Sequence, residues 1–304
     1  MKKKLVSVLL IVTMLAAVLP GCGSAKEATP AEPEAEAVEE TAEEVTEESG
    51  EKKVIRVALE AAYAPFNWTQ VDDSNGACPI AGTNEYVNGY DVLVTKMICE
   101  TLGYDYEFYK TDWDALILGL NTNKYDALIC GMNMTEERKE SVAFTTPYYR
   151  TTNCILVRKD NEKYASCSSI DELDGATAIT QFNSNWEPLV PEIPNVNALP
   201  GTTTTNEVAA QVLGGKADVG ILDDATAAVI CMSNEELTYY MFDEGKGFST
   251  DGQDSDYMGI AVRLEDTELL NDINRALEEN GFDAAKQKEF MDQALAVLPQ
   301  SELE

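Results

Sequence analysis

Between residues 54 and 298 the sequence alternates β-rich runs with stretches of helical periodicity, and the alternation starts twice. VIRVAL (54–59) is rich in β-branched residues, and DVLVTKMICETLG (91–103) places apolar residues at helical spacing before a Gly stop. YEFY (106–109) reads as a short strand, WDALILGLNTN (113–123) as a helix and YDALIC (125–130) as a strand. TEERKESV (135–142) opens with a Thr cap and acids in its first turn, which predicts a helix start. The pattern restarts after about residue 154 with ATAITQF (176–182), NEVAAQVLGG (206–215), DVGIL (218–222) and DDATAAVICM (223–232). A strand at 259–264 and helices over 267–279 and 284–298 close the chain. Strands alternating with helices specify an α/β fold with mostly parallel sheets, and two runs of them specify two halves. A Gly- and Asp-rich stretch (244–256) separates the final elements from the second half.

Composition narrows the chemistry. Among 304 residues there is no histidine, and 54 Asp plus Glu face 22 Lys plus Arg, for a net charge of −32. Without imidazole there is no Ser-His-Asp triad, no Cys-His dyad and no His-ligated zinc. Phosphate binding needs clustered Lys and Arg, so the acid excess argues against nucleic acid as a partner. A hydrophobic content of 44% is ample for a folded core.

The amino-terminal residues read as an address. Lys2, Lys3 and Lys4 precede an apolar run from Leu5 to Leu19. That run of about 15 residues is shorter than the ~20 a membrane-spanning helix needs, which favours a signal peptide over residues 1–21. The segment 22–50 carries ten glutamates and one lysine after Cys22, and only two sizeable apolar residues, so it is expected to be a flexible acidic tether.

Several motifs occur in one order: YAPF (63–66), NGYDV (88–92), LGYDYEF (102–108), W-x-x-L-I-x-x-L (113–120), GMNMTEERKESVAFTTPYY (131–149), GKADVGILDD (215–224) and GIAVRLEDTELL (259–270). Together they resemble the bacterial extracellular solute-binding proteins of family 3, the polar-amino-acid branch, across nearly all of 52–295. The resemblance implies a two-lobed, periplasmic-binding-protein-like fold of type II. Lobe 1 would comprise 51–149 plus 258–304, lobe 2 would comprise 154–245, and 150–153 and 246–257 would be the hinge crossings. It implies a protein that captures a free amino acid between closing lobes and delivers it to the permease and ATPase subunits of an ABC importer. The Leu-Pro-Gly-Cys sequence ending at Cys22 resembles a lipobox, implying cleavage before Cys22, lipidation of that residue (palmitate among its acyl groups) and anchoring on the extracytoplasmic face of a single-membrane bacterium. A monomer and no cofactor are expected.

The resemblance also distributes roles within the site. An amino acid presents a carboxylate and an ammonium. Arg138 matches the family's T-x-x-R arginine, whose guanidinium can pair bidentately with the carboxylate. Asp223 matches the aspartate that takes the ammonium, and it stands at a strand's carboxyl end, where open α/β sheets hold ligands. Gly131 would accept from the ammonium through its C=O, and Asn133 would offer an amide where the family often has a hydroxyl. Ser184, in QFNSNW (181–186), matches the lobe 2 loop that meets the carboxylate. Tyr63 and Trp113 match the aromatics that sandwich the ligand side chain, and Trp68 is a further candidate. Glu60 matches an aspartate that meets the distal charge in members taking cationic ligands, so a cationic or polar zwitterionic amino acid is favoured. Residues 71–87 form a longer loop than is common in the family, read as a solvated insertion with a lid over the cleft as the alternative.

The cysteines carry no metal signature, because no C-x-x-C occurs. Cys99, Cys130, Cys154 and Cys231 sit in apolar runs and read as buried small hydrophobes, whereas Cys78 and Cys167 lie in loops and could pair. The alternatives to a binding protein are a dehydratase-like enzyme on the same fold and a ligand-sensing domain.

Overall fold

The computed structural model describes residues 52–250 and 252–299. The expected signal segment, Cys22 and the expected tether lie outside the described residues, as do position 251 of the expected second crossing and the last five residues.

The first run begins with β1 (Val54–Leu59), whose side chains are buried from Val57 onward. A small antiparallel sheet follows, made of β2 (Ala62–Tyr63), β3 (Asn67–Gln70), β4 (Cys78–Pro79) and β5 (Tyr86–Asn88) in the order β2-β3-β5-β4. Helix α1 (Tyr90–Leu102) stops at Gly103, whose left-handed conformation lets its N–H bond back to the last turn. Then come β6 (Asp105–Lys110), a 3₁₀ turn at Trp113–Ala115, α2 (Leu116–Asn121), β7 (Ala127–Leu128), the short α3 (Glu136–Lys139), β8 (Ala143–Phe144) and β9 (Tyr149–Arg150).

The second run holds β10 (Asn153–Arg158), β11 (Thr177–Ile179), β12 (Asn197–Ala198), α4 (Thr205–Leu213), β13 (Val219–Asp223), α5 (Asp224–Ser233) and β14 (Leu237–Tyr240). The chain ends with β15 (Tyr257–Met258), β16 (Ala261–Val262), α6 (Thr267–Glu279) and α7 (Ala284–Ala296).

Two five-stranded sheets result, ordered β6-β1-β7-β16-β8 and β12-β11-β13-β10-β14. The two-lobed α/β architecture stands, but the sheets are mixed rather than mostly parallel. In the first, β1 pairs parallel with β6 and β7, while β16 runs antiparallel to β7 and β8. In the second, β11 is parallel to β12 and β13, and β10 is antiparallel to β13 and β14. The antiparallel members are strands that enter a sheet straight after a crossing, without a helix to reverse direction. Helix α1 packs on α6 and α7 against the first sheet, and α4 and α5 cover the second.

A two-stranded ribbon, β9 with β15, lies where the chain leaves the first sheet and where it returns. Arg150 on this ribbon stands 3.7 Å from the Asp256 carboxylate, and its guanidinium lies 5.4 Å over the Tyr257 ring.

The structure corrects three readings. The 71–87 segment is not simply a solvated insertion: Cys78 and Ile80 are buried, Ile80 bridges to Phe108, and β4 pairs with β5, leaving exposed a tip around 72–76. Cys78 and Cys167 are both free thiols with separate partners, the Tyr106 hydroxyl for Cys78 and the carbonyls of Lys163 and Glu172 for Cys167. Cys231 is half-buried, because it lies late in α5 on a face the sheet does not fully cover.

Candidate functional site

The strands' carboxyl ends converge. After β1 comes the turn carrying Glu60 and Tyr63, after β6 the 3₁₀ turn that opens on Trp113, and after β7 the segment with Gly131, Asn133 and Arg138. From the other sheet, β11 leads to Gln181–Ser184 and β13 ends on Asp223. Hydrogen bonds from Tyr63 to Asp223, from Trp113 and Arg138 to the Asn183 carbonyl, and from Gln181 to Glu60 span the gap between the sheets.

Asp223 is fully buried and starts α5 as its N-cap, with Oδ1 accepting from the Thr226 N–H at 2.9 Å. Its Oδ2 accepts from the Tyr63 hydroxyl at 2.6 Å. Burial raises the Asp223 pKa to about 6 despite these donors, and the nearby Asp224 charge raises it further. The Tyr63 ring lies directly over Gly131, where a Cβ would come within 2.6 Å of Cε1. Gly131 also has φ +67, so its missing side chain serves both the backbone and the ring above it.

Arg138 is buried in α3, which Thr135 caps by accepting from the Arg138 N–H at 3.3 Å. The predicted helix over 135–142 shrinks to four residues because Ala143 and Phe144 join the sheet as β8. The Arg138 guanidinium donates to the Asn133 carbonyl at 3.0 Å and the Asn183 carbonyl at 3.4 Å, and it sits 5.1 Å from the Trp113 ring. Burial lowers its pKa to about 10, which leaves it charged at neutral pH. Among the described residues no carboxylate forms an ion pair with it. A buried cation held only by neutral carbonyls and a ring face is poised for an anion.

Trp113 also donates from Nε1 to the Asn183 carbonyl, at 3.1 Å. Asn183 adopts φ +57, which turns that carbonyl toward both donors. Ser184 is buried nearby, its hydroxyl donating to the Gln181 carbonyl at 2.7 Å. Glu60 accepts from the Gln181 amide at 3.0 Å through Oε1, while its other oxygen, Oε2, is buried without a hydrogen-bond partner. Burial raises the Glu60 pKa to about 7.

Trp113 lines two cavities. One of about 630 Å³ is lined by Trp113, Met132, Arg138, Asn183, Ser184 and Leu189. The other, of about 320 Å³, is lined by Glu60, Asp112, Trp113, Phe182 and Thr203 among others. Tyr63, Gly131 and Asp223 line neither; Tyr63 joins the other two, its ring over Gly131 and its hydroxyl on Asp223.

Two candidates sit elsewhere. Trp68 is wholly buried on β3, opposite Ala62 and Asn88, and lines neither cavity, so it departs from the expected ligand-facing position. The Asn133 side chain turns away from the cavities: its amide donates to the Ser255 carbonyl at 2.8 Å and lies 3.4 Å from the Thr151 hydroxyl. Only its backbone carbonyl meets Arg138. Two participants were not singled out from the sequence, Gln181 and the Asn183 carbonyl; both lie in the QFNSNW run, but side-chain direction within a loop has no sequence signal.

A family description of bacterial extracellular solute-binding proteins, family 3, matches residues 55–288. An arginine-binding extracellular protein of Bacillus subtilis is 26% identical over 235 residues, covering 76% of this chain and 82% of that protein. An L-arginine-binding protein of Pseudomonas aeruginosa is 27% identical over 238 residues, covering 74% of this chain and 82% of that protein. Among solved structures, an ancestral arginine-binding protein bound to arginine superposes with a TM-score of 0.65 and 29% identity, covering 80% of this chain and 98% of that one.

Proposed function

The chain belongs to the bacterial extracellular solute-binding proteins of family 3, and from that premise we propose that it closes its two lobes around a free amino acid with a cationic side chain. The observation that carries this reading is the pairing of two unspent charges, each lining a cavity that Trp113 also lines: a buried guanidinium without a carboxylate partner among the described residues, Arg138, and a buried carboxylate with a free oxygen, Glu60. Arg138 takes the α-carboxylate, helped by Ser184 and its loop. The acceptor that receives the Tyr63 hydroxyl, Asp223, receives the α-ammonium, together with the Gly131 carbonyl. The side chain runs past Tyr63 and Trp113, and its distal cation meets Glu60 in the acidic cavity, where desolvation strengthens the attraction. The arginine-binding relatives support a guanidinium or ammonium there.

In this reading the ribbon of β9 and β15 is the hinge, with lobe 1 contributed by 51–149 plus 258–304 and lobe 2 by 154–245. The protein binds and releases without catalysis, works as a monomer, and hands its ligand to an ABC permease. Cys22 anchors it by a lipid to the outer face of the cell membrane, and the acidic segment to residue 50 is the tether.

A thermal-shift panel of the twenty amino acids tests the ligand class. Saturating a site at a hundred times Kd adds about 2.7 kcal/mol, or roughly 5–10 °C for a body of this size. Arginine, lysine or histidine is expected to give the largest shift; a panel with no shift for any of the twenty overturns the class.

A further inference from the structure

No residue of the NGYDV motif lines either cavity, yet its aspartate is linked through Asn67 to the turn that carries Glu60. Asp91 is wholly buried in the first turn of α1, and among the described residues no cation pairs with it. Its two oxygens are both used: Oδ1 accepts from the Tyr148 hydroxyl at 2.7 Å, and Oδ2 accepts from the Asn67 amide at 2.7 Å. Each partner then reaches a second group. The Tyr148 oxygen accepts from the Gly131 N–H at 2.8 Å, and the Asn67 carbonyl oxygen accepts from the Ala61 N–H at 2.7 Å. Ala61 and Gly131 both lie in the left-handed region, at φ 56 and 67, a conformation that costs roughly 1–2 kcal/mol for a non-glycine residue such as Ala61.

We propose that Asp91 is a positioning residue for the ligand cleft: one buried carboxylate sets the two loops that carry Glu60, Tyr63 and Gly131, through two separate hydrogen-bonded relays. The inference rests on the ligand reading above for its functional meaning. Its physical basis is the polarity of the group. A carboxylate only accepts, so both neighbours must turn their donors inward. Tyr148 thereby presents its lone pairs to Gly131, and Asn67 its oxygen to Ala61. Burying an ion among neutral donors is costly, and desolvation accordingly raises the Asp91 pKa to about 7. A core serving stability alone is better filled by an apolar side chain; what the carboxylate adds is direction, imposed on two loops at once.

Two variants test this by polarity. Asp91→Asn puts an NH₂ where one acceptor was, so either Asn67 turns its own NH₂ toward the Ala61 N–H or the Tyr148 proton loses its acceptor. The exchange Asp91→Asn with Asn67→Asp restores every donor–acceptor pair: the amide at 91 accepts from Tyr148 and donates to the carboxylate at 67, which accepts from Ala61. The single variant is expected to bind the best amino acid of the panel about tenfold or more weakly, measured by calorimetry well below its melting transition. The exchange is expected to recover affinity to within about threefold, and amide hydrogen exchange at Ala61 and Gly131 should speed up in the first and return in the second. A core truncation of similar thermal cost, Val57→Ala, should leave affinity unchanged. Wild-type affinity and protection in Asp91→Asn overturn the proposal, as does an exchange no better than the single variant. Hydrogen exchange reads the relays without ligand, so a wild-type protein that binds nothing in the panel sinks the ligand class and leaves this test decisive.

Discussion

The two lobes hold their site residues by different physics. In lobe 1, Glu60, Tyr63 and Gly131 hang on loops with left-handed residues, and those loops are tied to a buried polar network and an aromatic cluster. Tyr63 stacks on Phe66 at 5.0 Å, Phe66 meets Tyr90 and Tyr149 edge-on at 6.0 and 5.1 Å, and Tyr90 stacks on Tyr148 at 5.8 Å. In lobe 2, Asp223 is fixed by the end of β13 and the start of α5 over an aliphatic sheet core of Ile155, Ala178, Ile221 and Leu222. A strand end that is also a helix cap already fixes a carboxylate; a loop needs further ties. A change in lobe 1 should therefore reach the ligand from some distance, whereas Asp223 should be little affected by changes elsewhere in lobe 2.

The largest effect belongs to Arg138→Ala. Removing one partner of a buried, hydrogen-bonded charge pair costs about 3–5 kcal/mol, so ligand affinity should fall by roughly a hundredfold or more. The ligand-free melting temperature should move by only a few degrees, since that guanidinium is desolvated without a countercharge. Unchanged affinity by calorimetry would remove Arg138 from the site.

Asp223→Asn comes next. Asparagine caps a helix as well as aspartate does, so α5 should persist. Loss of the charge should weaken binding by about ten- to a hundredfold, while the free protein near pH 8 keeps or raises its melting temperature, because an ionised buried carboxylate is gone. A sharp fall in stability would show that capping, rather than ligand binding, is what the acid serves.

Glu60→Gln should act on one ligand class only. It is expected to weaken a cationic amino acid about tenfold and leave a neutral one nearly untouched. The pH dependence carries the same signature. Glu60 and Asp91 near 7 and Asp223 near 6 all lie above their unfolded values through burial. Folding therefore favours the protonated forms, and the associated stability is present at low pH and lost as pH rises through 6 to 7. The free protein should melt at higher temperature at pH 5.5 than at pH 8, while its affinity for a cationic ligand runs the other way. Glu60→Gln should flatten both trends, and calorimetry with differential scanning across that range would expose a failure of either.

Much of this was legible in the sequence where periodicity is long. Helix α6 begins and ends where its amphipathic spacing predicts, at Thr267 and Glu279. Short elements were not legible: β2, β3 and β5 span two to four residues each, with too little pattern to separate from loop, and β10 was not singled out as a strand, its first residue falling in the expected crossing at 150–153. The candidate residues were readable as motif positions, and the structure joins some of them: Tyr63 meets Gly131 and Asp223, and Trp113 and Arg138 share the Asn183 carbonyl next to Ser184. What failed was direction. Asn133 is at the expected place but aims its amide at Ser255, and Trp68 falls on the buried face of β3, because alternation within so short a strand depends on a register set from far away in the chain.

One feature of the first sheet bears on how such a chain is made. Strand β16 lies between β7 and β8, yet it is synthesised more than a hundred residues after them. Until Ala261 and Val262 emerge, that sheet has a gap in its middle and two unpaired inner edges. The second sheet contains only residues from 153 to 240 and can complete itself first. A nascent chain is thus barred from finishing its first sheet, and with it the cleft, until nearly all of it has been made.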